Sequence, residues 1–255
     1  MDWQEIASCW TFGPRSQKTK AIIHFLGGAF VGTAPQLSYR WLLEQLGRAG
    51  YLVIATPYLN DFEHGKIARD TLNRFENCLT RLNLGLNLPI YGLGHSMGCK
   101  IHLLVGSLYG CDRAGNILLA YNNDPARSAV PLVDRLNDST PFTVEFVPSP
   151  TKTLTLIAEN YPVRRNLVIR FRRDSIDCSE ELMPVLETRC GSNLVSRCWL
   201  PGDHLTPTAQ ALQWQSGTDF SPLDAAVQWA RQEFLRDIKR LRDEILRWLD
   251  PTATQ

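Results

Sequence analysis

The sequence has no excess of charge of either sign, no closely spaced cysteine pair and no long apolar run. Its 27 basic and 26 acidic side chains leave a formal net charge of +1, so the bulk charge indicates neither a nucleic-acid partner nor an anionic membrane. No apolar run reaches the roughly 18 residues that a membrane-spanning helix needs. The N-terminus also lacks the basic and apolar regions of a signal peptide. We therefore expect a cytoplasmic protein without a transmembrane segment.

The seven cysteines are odd in number, and no two of them have C-x-x-C spacing. This usage fits free thiols in a reducing compartment better than a disulfide framework. A structural zinc site would need Cys or His ligands clustered at short spacing, and the sequence has no such cluster. We expect no metal and no cofactor.

What the sequence does contain is an alternation of short apolar runs and amphipathic segments. The apolar runs predict strands at 21–28, 51–58, 88–94, 115–123, 166–173 and 193–200. Helical spacing of apolar residues predicts helices at 35–50, 66–82, 96–109 and 179–190. Helices of this length between strands imply right-handed crossovers, and hence a mainly parallel sheet with helices on both faces. We predict a single α/β domain over 1–255, in which the first twenty residues are compatible with an antiparallel edge hairpin.

Residues 124–165 interrupt this alternation with a proline-rich stretch that has no clear strand. A short helix is predicted near 128–136. A second helix is predicted to start with Ser149 as its N-cap and Pro150 in its first turn. An insertion of this length is more than a connector. We interpret it as a lid over the functional site, with an irregular covering of the core as the alternative.

The motif Gly94-His95-Ser96-Met97-Gly98 follows an apolar strand and opens a helix. A G-x-S-x-G sequence in that context predicts a nucleophile elbow, in which a sharp turn exposes the serine hydroxyl. The helix N-terminus favours negative charge, and the amide of Met97 is a candidate donor to an oxyanion formed there. We interpret His95 as a packing residue of the elbow.

With this elbow in its strand-to-helix context, the chain resembles the α/β-hydrolase superfamily. In that superfamily the catalytic serine is followed along the chain by an acid and then by a histidine. The resemblance implies Ser96 as nucleophile, His204 as base and Asp174 as the acid that orients it, because both partners follow predicted strand ends. Asp177 and Asp124 remain alternative acids.

The second oxyanion donor is expected from the loop "HFLGGAFVG". This loop resembles the HGGG-type loop of lipases and esterases, but two residues separate its histidine from its glycine pair. The departure leaves the donor open between Ala29 and Phe30, while Gly27 and Gly28 give room for a close approach.

Three stretches, "FLGGAFVGTAPQLSYRWLLEQLGRAGYLVIATPY", "GLGHSMGCK" and "VEFVPSPTKT", resemble an uncharacterised family of α/β-hydrolase-like proteins from cyanobacteria and plastids. This resemblance implies the α/β-hydrolase fold. The elbow, together with its ordered partners at strand ends, predicts a serine hydrolase that acts on a small-molecule ester or thioester. The alternative is a non-catalytic member of the same fold that binds a protein or a lipid-like ligand through the insertion.

The C-terminal segment from Ser221 to Pro251 reads as one long helix. An apolar seam runs along it at alternating spacings of four and three, formed by Phe234, Ile238, Leu241, Ile245 and Trp248. We expect its first half to pack on the sheet and its charged later turns to project. The same seam would suit a partner helix, which makes a homo-oligomer the alternative.

A basic neighbourhood surrounds the strand that precedes Asp174 and consists of arginines 164, 165, 170, 172 and 173. Most of these side chains are expected to be solvated. Contact between one or two of them and an anionic group of a substrate is the alternative.

Overall fold

The structure, a computed structural model, describes residues 1–29, 31–84, 87–126, 145–208 and 222–250, with 222–231 as backbone. Its strands are β1 Gln4–Ile6, β2 Cys9–Phe12, β3 Ala21–Leu26, β4 Tyr51–Ala55, β5 Ile90–His95, β6 Gly115–Leu119, β7 Asn166–Phe171 and β8 Val195–Leu200. Its helices are α1 Pro35–Ser38, α2 Arg40–Arg48, α3 His64–Leu82, α4 Met97–Tyr109, α5 Pro150–Asn160, α6 Ser179–Cys190 and α7 Pro222–Leu249. No helix among these residues combines the length and apolarity that crossing a bilayer requires.

The described strands form one sheet in the order β1-β2-β4-β3-β5-β6-β7-β8. β3 to β8 are all parallel to one another. β1 and β2 form an antiparallel hairpin at one edge, with β2 antiparallel to β4. The predicted mainly parallel sheet and the edge hairpin are therefore confirmed. Four predicted strands extend two to four residues beyond the carboxyl ends of the observed ones, into the loops at that edge of the sheet.

Alternate residues of each parallel strand face opposite layers, as in Ile22 and Ile23 of β3. Ile23 packs with α2 and α7 on one face of the sheet, whereas Ile22 packs with Phe75 of α3 on the other. α4, α5 and α6 also cover the second face. Strands buried on both sides explain the continuous apolar runs in the sequence.

The helix predicted at 35–50 is divided into α1 and α2 at Tyr39, whose φ of −117° and ψ of 15° leave the helical region. The Tyr39 side chain is fully buried. Its hydroxyl reaches Gly28 in the loop after β3. The break is therefore associated with a contact beneath the candidate oxyanion loop.

The later turns of the C-terminal helix α7 were expected to project from the sheet, and that expectation is wrong. Ile238, Leu241, Ile245 and Trp248 of α7 are buried against the sheet rather than projecting. The side chains of its first turns lie outside the described residues. Because the chain's own sheet covers this part of the seam, self-association through α7 would require some other surface of the helix.

The insertion contains one element that belongs to the sheet's covering layer. In α5, Ser149 accepts a hydrogen bond from the amide of Lys152, as predicted for the N-cap. Ile157 of this helix is fully buried in the same cluster as residues of α4 and α6. α5 is thus the crossover helix between β6 and β7. The predicted helix near 128–136 lies outside the described residues.

Candidate functional site

Ser96 occupies the turn between β5 and α4 in a conformation that L-residues rarely adopt, with φ of 53° and ψ of −121°. Two glycines allow the surrounding chain segments to approach closely. A Cβ on Gly94 would lie 2.6 Å from the amide nitrogen of Cys99, and one on Gly98 would lie 2.1 Å from the carbonyl oxygen of Leu26. A non-glycine residue held in this strained region is typical of a position where geometry serves function.

The structure brings Ser96, His204 and Asp174 into one hydrogen-bonded chain. His204 Nε2 lies 2.9 Å from Ser96 Oγ, and His204 Nδ1 lies 2.8 Å from Asp174 Oδ2. Asp174 follows the carboxyl end of β7 and His204 lies in the turn after β8. Parallel strands therefore deliver all three side chains to the same edge of the sheet.

Asp174 is held as a carboxylate although its side chain has no exposed surface. Burial alone would raise its pKa, but the hydrogen bond and charge of His204 and the amide of Ile176, which donates at 3.0 Å, together bring the pKa below its ordinary value. This is the state in which it can accept the Nδ1 proton of the imidazole.

The two alternative acids point elsewhere. Asp177 Oδ1 lies 3.0 Å from Arg170 Nε and accepts from the amide of Ser179. Asp124 accepts hydrogen bonds from Asn122 Nδ2 at 2.9 Å and from the thiol of Cys178. These two carboxylates have partners of their own, and the hydrogen bonds described for them do not involve His204.

The candidate oxyanion donors border the same cavity as the serine, because Ser96, Met97 and Ala29 all line it. The amide of Met97 belongs to the first turn of α4, where amides have no acceptor within the helix. The loop that carries Ala29 is held by Tyr58, whose hydroxyl donates to the carbonyl of Gly27. Phe30 lies outside the described residues.

His95 does more than pack within the elbow, so that part of the interpretation is corrected. Its Nε2 lies 2.8 Å from the carbonyl oxygen of His204, and its Nδ1 lies 2.8 Å from the hydroxyl of Tyr39. The same hydroxyl accepts a hydrogen bond from the amide of Gly28 at 2.8 Å. One buried network thus joins the candidate oxyanion loop to the turn that carries His204.

Above Ser96 lies a cavity of about 290 Å³. Its wall combines apolar side chains with amide, carboxylate and basic groups. The residues that line it are Ala29, Asn60, Asp61, Phe62, His64, Ser96, Met97, Lys100, Asn122, Asn123, Asp124 and Phe146. Phe146 belongs to the insertion and stacks on His64 with ring centroids 4.3 Å apart. The insertion therefore contributes to the wall of the cavity.

Two basic residues of this cavity were missed in the sequence. Lys100 lies one turn along α4 from Ser96, and His64 begins α3. Burial lowers the pKa of Lys100 to about 8, although the charge of Glu145 opposes the shift. Burial also lowers the pKa of His64 to about 3 and keeps its ring neutral. The available signal was a single lysine in an otherwise apolar helical stretch directly after the elbow.

Within the described ranges, no three His, Cys, Asp or Glu side chains are grouped so that they could hold a metal ion. All seven cysteines are free thiols. Cys99 on α4 is fully buried, and burial raises its pKa well above the ordinary thiol value. It is therefore protonated and packs in the core beside the elbow.

Solved structures share this fold at low sequence identity. Monoglyceride lipase from Saccharomyces cerevisiae is 11% identical, with a TM-score of 0.58 over 98% of this chain and 94% of the lipase. Esterase B from Lactobacillus rhamnosis is 16% identical, with a TM-score of 0.56 over 95% and 86% of the two chains. The peroxisomal α/β-hydrolase Lpx1 from S. cerevisiae is 13% identical, with a TM-score of 0.57 over 88% of each chain. The chain has the α/β-hydrolase fold.

No curated protein sequence matches the chain at a significant level. A family model does match, and it covers residues 2–251, which is nearly the whole sequence. This match agrees with the predicted resemblance to an uncharacterised group of α/β-hydrolase-like proteins. The chain therefore belongs to the family described as "Protein of unknown function (DUF1350)".

Proposed function

We propose that the protein is a serine hydrolase that cleaves an ester or thioester through an acyl-enzyme intermediate. The observation that carries this proposal is the hydrogen-bonded chain from Ser96 Oγ through His204 to Asp174, at 2.9 Å and 2.8 Å. A serine hydroxyl is a weak nucleophile until a base accepts its proton. The neighbouring imidazole is placed to do so, and the carboxylate holds its tautomer.

In the proposed reaction, Ser96 Oγ attacks the carbonyl carbon of the substrate while its proton moves to His204 Nε2. The tetrahedral oxyanion faces the amide of Met97, with Ala29 as the candidate for a second donor. Collapse breaks the bond to the alcohol or thiol, which leaves with the proton from His204. A water molecule then adds to the acyl-enzyme with His204 as base, and Ser96 is released with the free acid.

The insertion, residues 124–165, is proposed to act as a lid in the part that precedes α5. Phe146 supports this proposal because it lies over the same cavity that Ser96 lines. A lid of this kind would limit access of water and select the substrate. We further propose that the chain acts as a single domain.

The test is labelling of the folded protein with a fluorophosphonate probe, which modifies an activated serine. We expect labelling of the wild type and none of Ser96→Ala. Ser107→Ala is the matched control. Like Ser96, Ser107 is a buried serine, but it lies within α4 and donates to the carbonyl of Leu103. Absence of labelling in a folded wild-type protein would contradict the proposal and favour the non-catalytic alternative.

The substrate class is tested by hydrolysis of p-nitrophenyl esters and acyl thioesters of equal acyl length. We expect turnover of at least one series by the wild type and by Ser107→Ala, and none by Ser96→Ala. Turnover that survives in Ser96→Ala would remove the serine from the mechanism.

A further inference from the structure

Lys100 is a buried cation in the wall of the cavity that contains Ser96. Its side chain is only 1% exposed, yet its Nζ has no hydrogen-bond partner among the described residues. Its Nζ lies over the ring of Phe146, 5.4 Å from the ring centroid. Lysine side chains are almost never fully buried without a partner, because desolvation of the ammonium group is costly.

The carboxylates around the cavity do not supply this partner. No described carboxylate oxygen lies within 4.0 Å of Lys100 Nζ. Glu145 Oε1 accepts from the amides of Ala126 and Phe146, both at 2.8 Å. The oxygens of Asp124 are engaged by Asn122 and Cys178, and Asp61 Oδ1 accepts from the amide of Glu63. Lys100 lines the cavity, and its ammonium group has no hydrogen-bond partner among the described residues.

The arginines near Asp174 do not take this role. None of the five arginines at 164, 165, 170, 172 and 173 lines the cavity. Arg170 lies 3.0 Å from the carboxylate of Asp177, and Arg173 lies 3.2 Å from that of Glu233. The charges of Arg170 and Arg173 are already paired, whereas Lys100 has no ion pair with the residues described.

We propose that the cavity binds a substrate that carries an anionic group, a carboxylate or a phosphate, and that this group pairs with Lys100 Nζ while the reacting carbonyl lies at Ser96. The inference rests on the proposed hydrolase function and deepens it by naming the substrate class. The anion would supply the missing hydrogen-bond acceptor as a charge-assisted one beside a buried ammonium group.

The spacing along α4 limits the length of such a substrate. Lys100 is the fourth residue after Ser96, which corresponds to a rise of about 6 Å along the helix axis between their Cα atoms. An anionic group a few bonds from the reacting carbonyl spans this distance, as in the half-esters of short dicarboxylic acids. The neutral ring of His64, buried at the same wall with both nitrogens unpartnered among the described residues, is available as a further donor to the anion.

The first test compares two esters of equal length. One is the mono-p-nitrophenyl ester of glutaric acid, and the other is the same compound with its free carboxylate methylated. We expect the wild type to favour the anionic ester in kcat/KM by about tenfold or more, since a charge-assisted hydrogen bond is commonly worth at least one factor of ten. Lys100→Met and Lys100→Gln should lose that preference, so that the ratio of kcat/KM for the two esters falls towards one.

Lys152→Met is the matched control, because it removes the same charge from an exposed position on α5. It should keep the preference of the wild type. A preference that survives in both Lys100 variants, or a wild type that favours the neutral ester, would overturn the proposal. In either case, labelling of Ser96 by the fluorophosphonate probe would still stand as a separate measure of the hydrolase function.

A second test needs no turnover. The thermal midpoint is measured with glutarate, with glycerol 3-phosphate and with neutral dimethyl glutarate. We expect at least one anion to raise the midpoint of the wild type and of Lys152→Met but not of Lys100→Met. The anion that does so distinguishes a carboxylate substrate from a phosphorylated one. Equal shifts in Lys100→Met, or no shift with either anion, would count against the proposed anion site.

Discussion

The ring of His95 is hydrogen-bonded to the backbone carbonyl of His204, so the residue before the candidate nucleophile contacts the turn that carries the candidate base. Burial and, secondarily, the charge of His204 lower the pKa of His95 to about 3, so the ring is neutral. Its Nε2–H therefore donates to the carbonyl at 2.8 Å. Its Nδ1 accepts from the hydroxyl of Tyr39 at 2.8 Å. We propose that Tyr39 and His95 are positioning residues that act through His204.

Tyr39→Phe is expected to slow the reaction by about tenfold to a hundredfold, because a small displacement of a reacting group is costly. The change removes the hydroxyl that joins the amide of Gly28 to His95 without opening a cavity. We expect the loss in kcat rather than in KM. The rate of fluorophosphonate labelling should fall in parallel.

Tyr161→Phe is the matched control for Tyr39→Phe. Tyr161 is equally buried, and its hydroxyl accepts from Asn116 Nδ2 and donates to Asn166 Oδ1. Each variant should lose about 1–3 kcal/mol of unfolding free energy, since each strands buried polar groups. Equal losses of kcat in both would indicate that the Tyr39 network is only structural.

Asp174→Asn is expected to lower kcat by about a thousandfold or more, because an amide in place of the carboxylate would favour the wrong imidazole tautomer. Asp177→Asn is the matched control, since Asp177 is also a buried acid but pairs with Arg170. Steady-state hydrolysis of a p-nitrophenyl ester measures both. A control variant that loses as much activity as Asp174→Asn, while still folded, would contradict the assignment of the acid.

The sheet and its crossover helices could be predicted because buried parallel strands and amphipathic helices leave periodic signals in the sequence. The break at Tyr39 could not, since the apolar spacing from Leu37 to Leu46 continues across it. What bends the chain there is a tertiary contact between a buried hydroxyl and the loop after β3. The later turns of α7 were misjudged because their many charged residues masked a seam that the sheet covers.

Local motifs predicted which residues of the site would meet at one edge, because strand ends in a parallel sheet converge there. They could not indicate what Lys100 or His95 would contact. Each owes its role to what lies opposite it in space, namely the cavity for Lys100 and the His204 turn for His95. Phe146 is a similar case, because an insertion without regular periodicity gives no signal of which side chain covers the site.

The strained backbone at Ser96 should reverse the usual order of alanine and glycine in their effect on the free energy of unfolding. Alanine normally stabilises a chain relative to glycine, by about 0.4–1 kcal/mol, through the entropy of the unfolded state. At a φ of 53° and a ψ of −121°, alanine retains the backbone strain, whereas glycine relieves it. We expect Ser96→Gly to exceed Ser96→Ala in unfolding free energy by about 1 kcal/mol.

Urea denaturation of the two inactive Ser96 variants measures this difference without any contribution from catalysis. Both lack the hydroxyl, so the lost contact with His204 cancels in the comparison. If alanine is instead the more stable of the two, the conformation at Ser96 is not strained.

Lys100→Met is expected to stabilise the protein while it abolishes the proposed preference for an anionic substrate. Burial of the ammonium group lowers the pKa of Lys100 from 10.5 to about 8, which corresponds to about 3 kcal/mol. Below about pH 8 the lysine is protonated in both the folded and the unfolded chain, and the folded state bears the full cost. Methionine has a similar shape and no charge, so at pH 7 the variant should be more stable by up to about 3 kcal/mol.

The pH dependence of this difference follows from the same pKa values. Between about pH 8 and 10.5 the unfolded chain holds a proton at Lys100 that the folded chain has lost. The free energy of unfolding of the wild type therefore rises through this range relative to Lys100→Met, and the advantage of the variant shrinks.

Urea denaturation at pH 7 and pH 10 measures the stability difference between the two proteins at each pH. Lys152→Met, at an exposed position, should show no such convergence. A Lys100→Met variant that is less stable than the wild type at pH 7 would mean that the ammonium group already has a partner, and the argument for an anionic substrate would lose its basis.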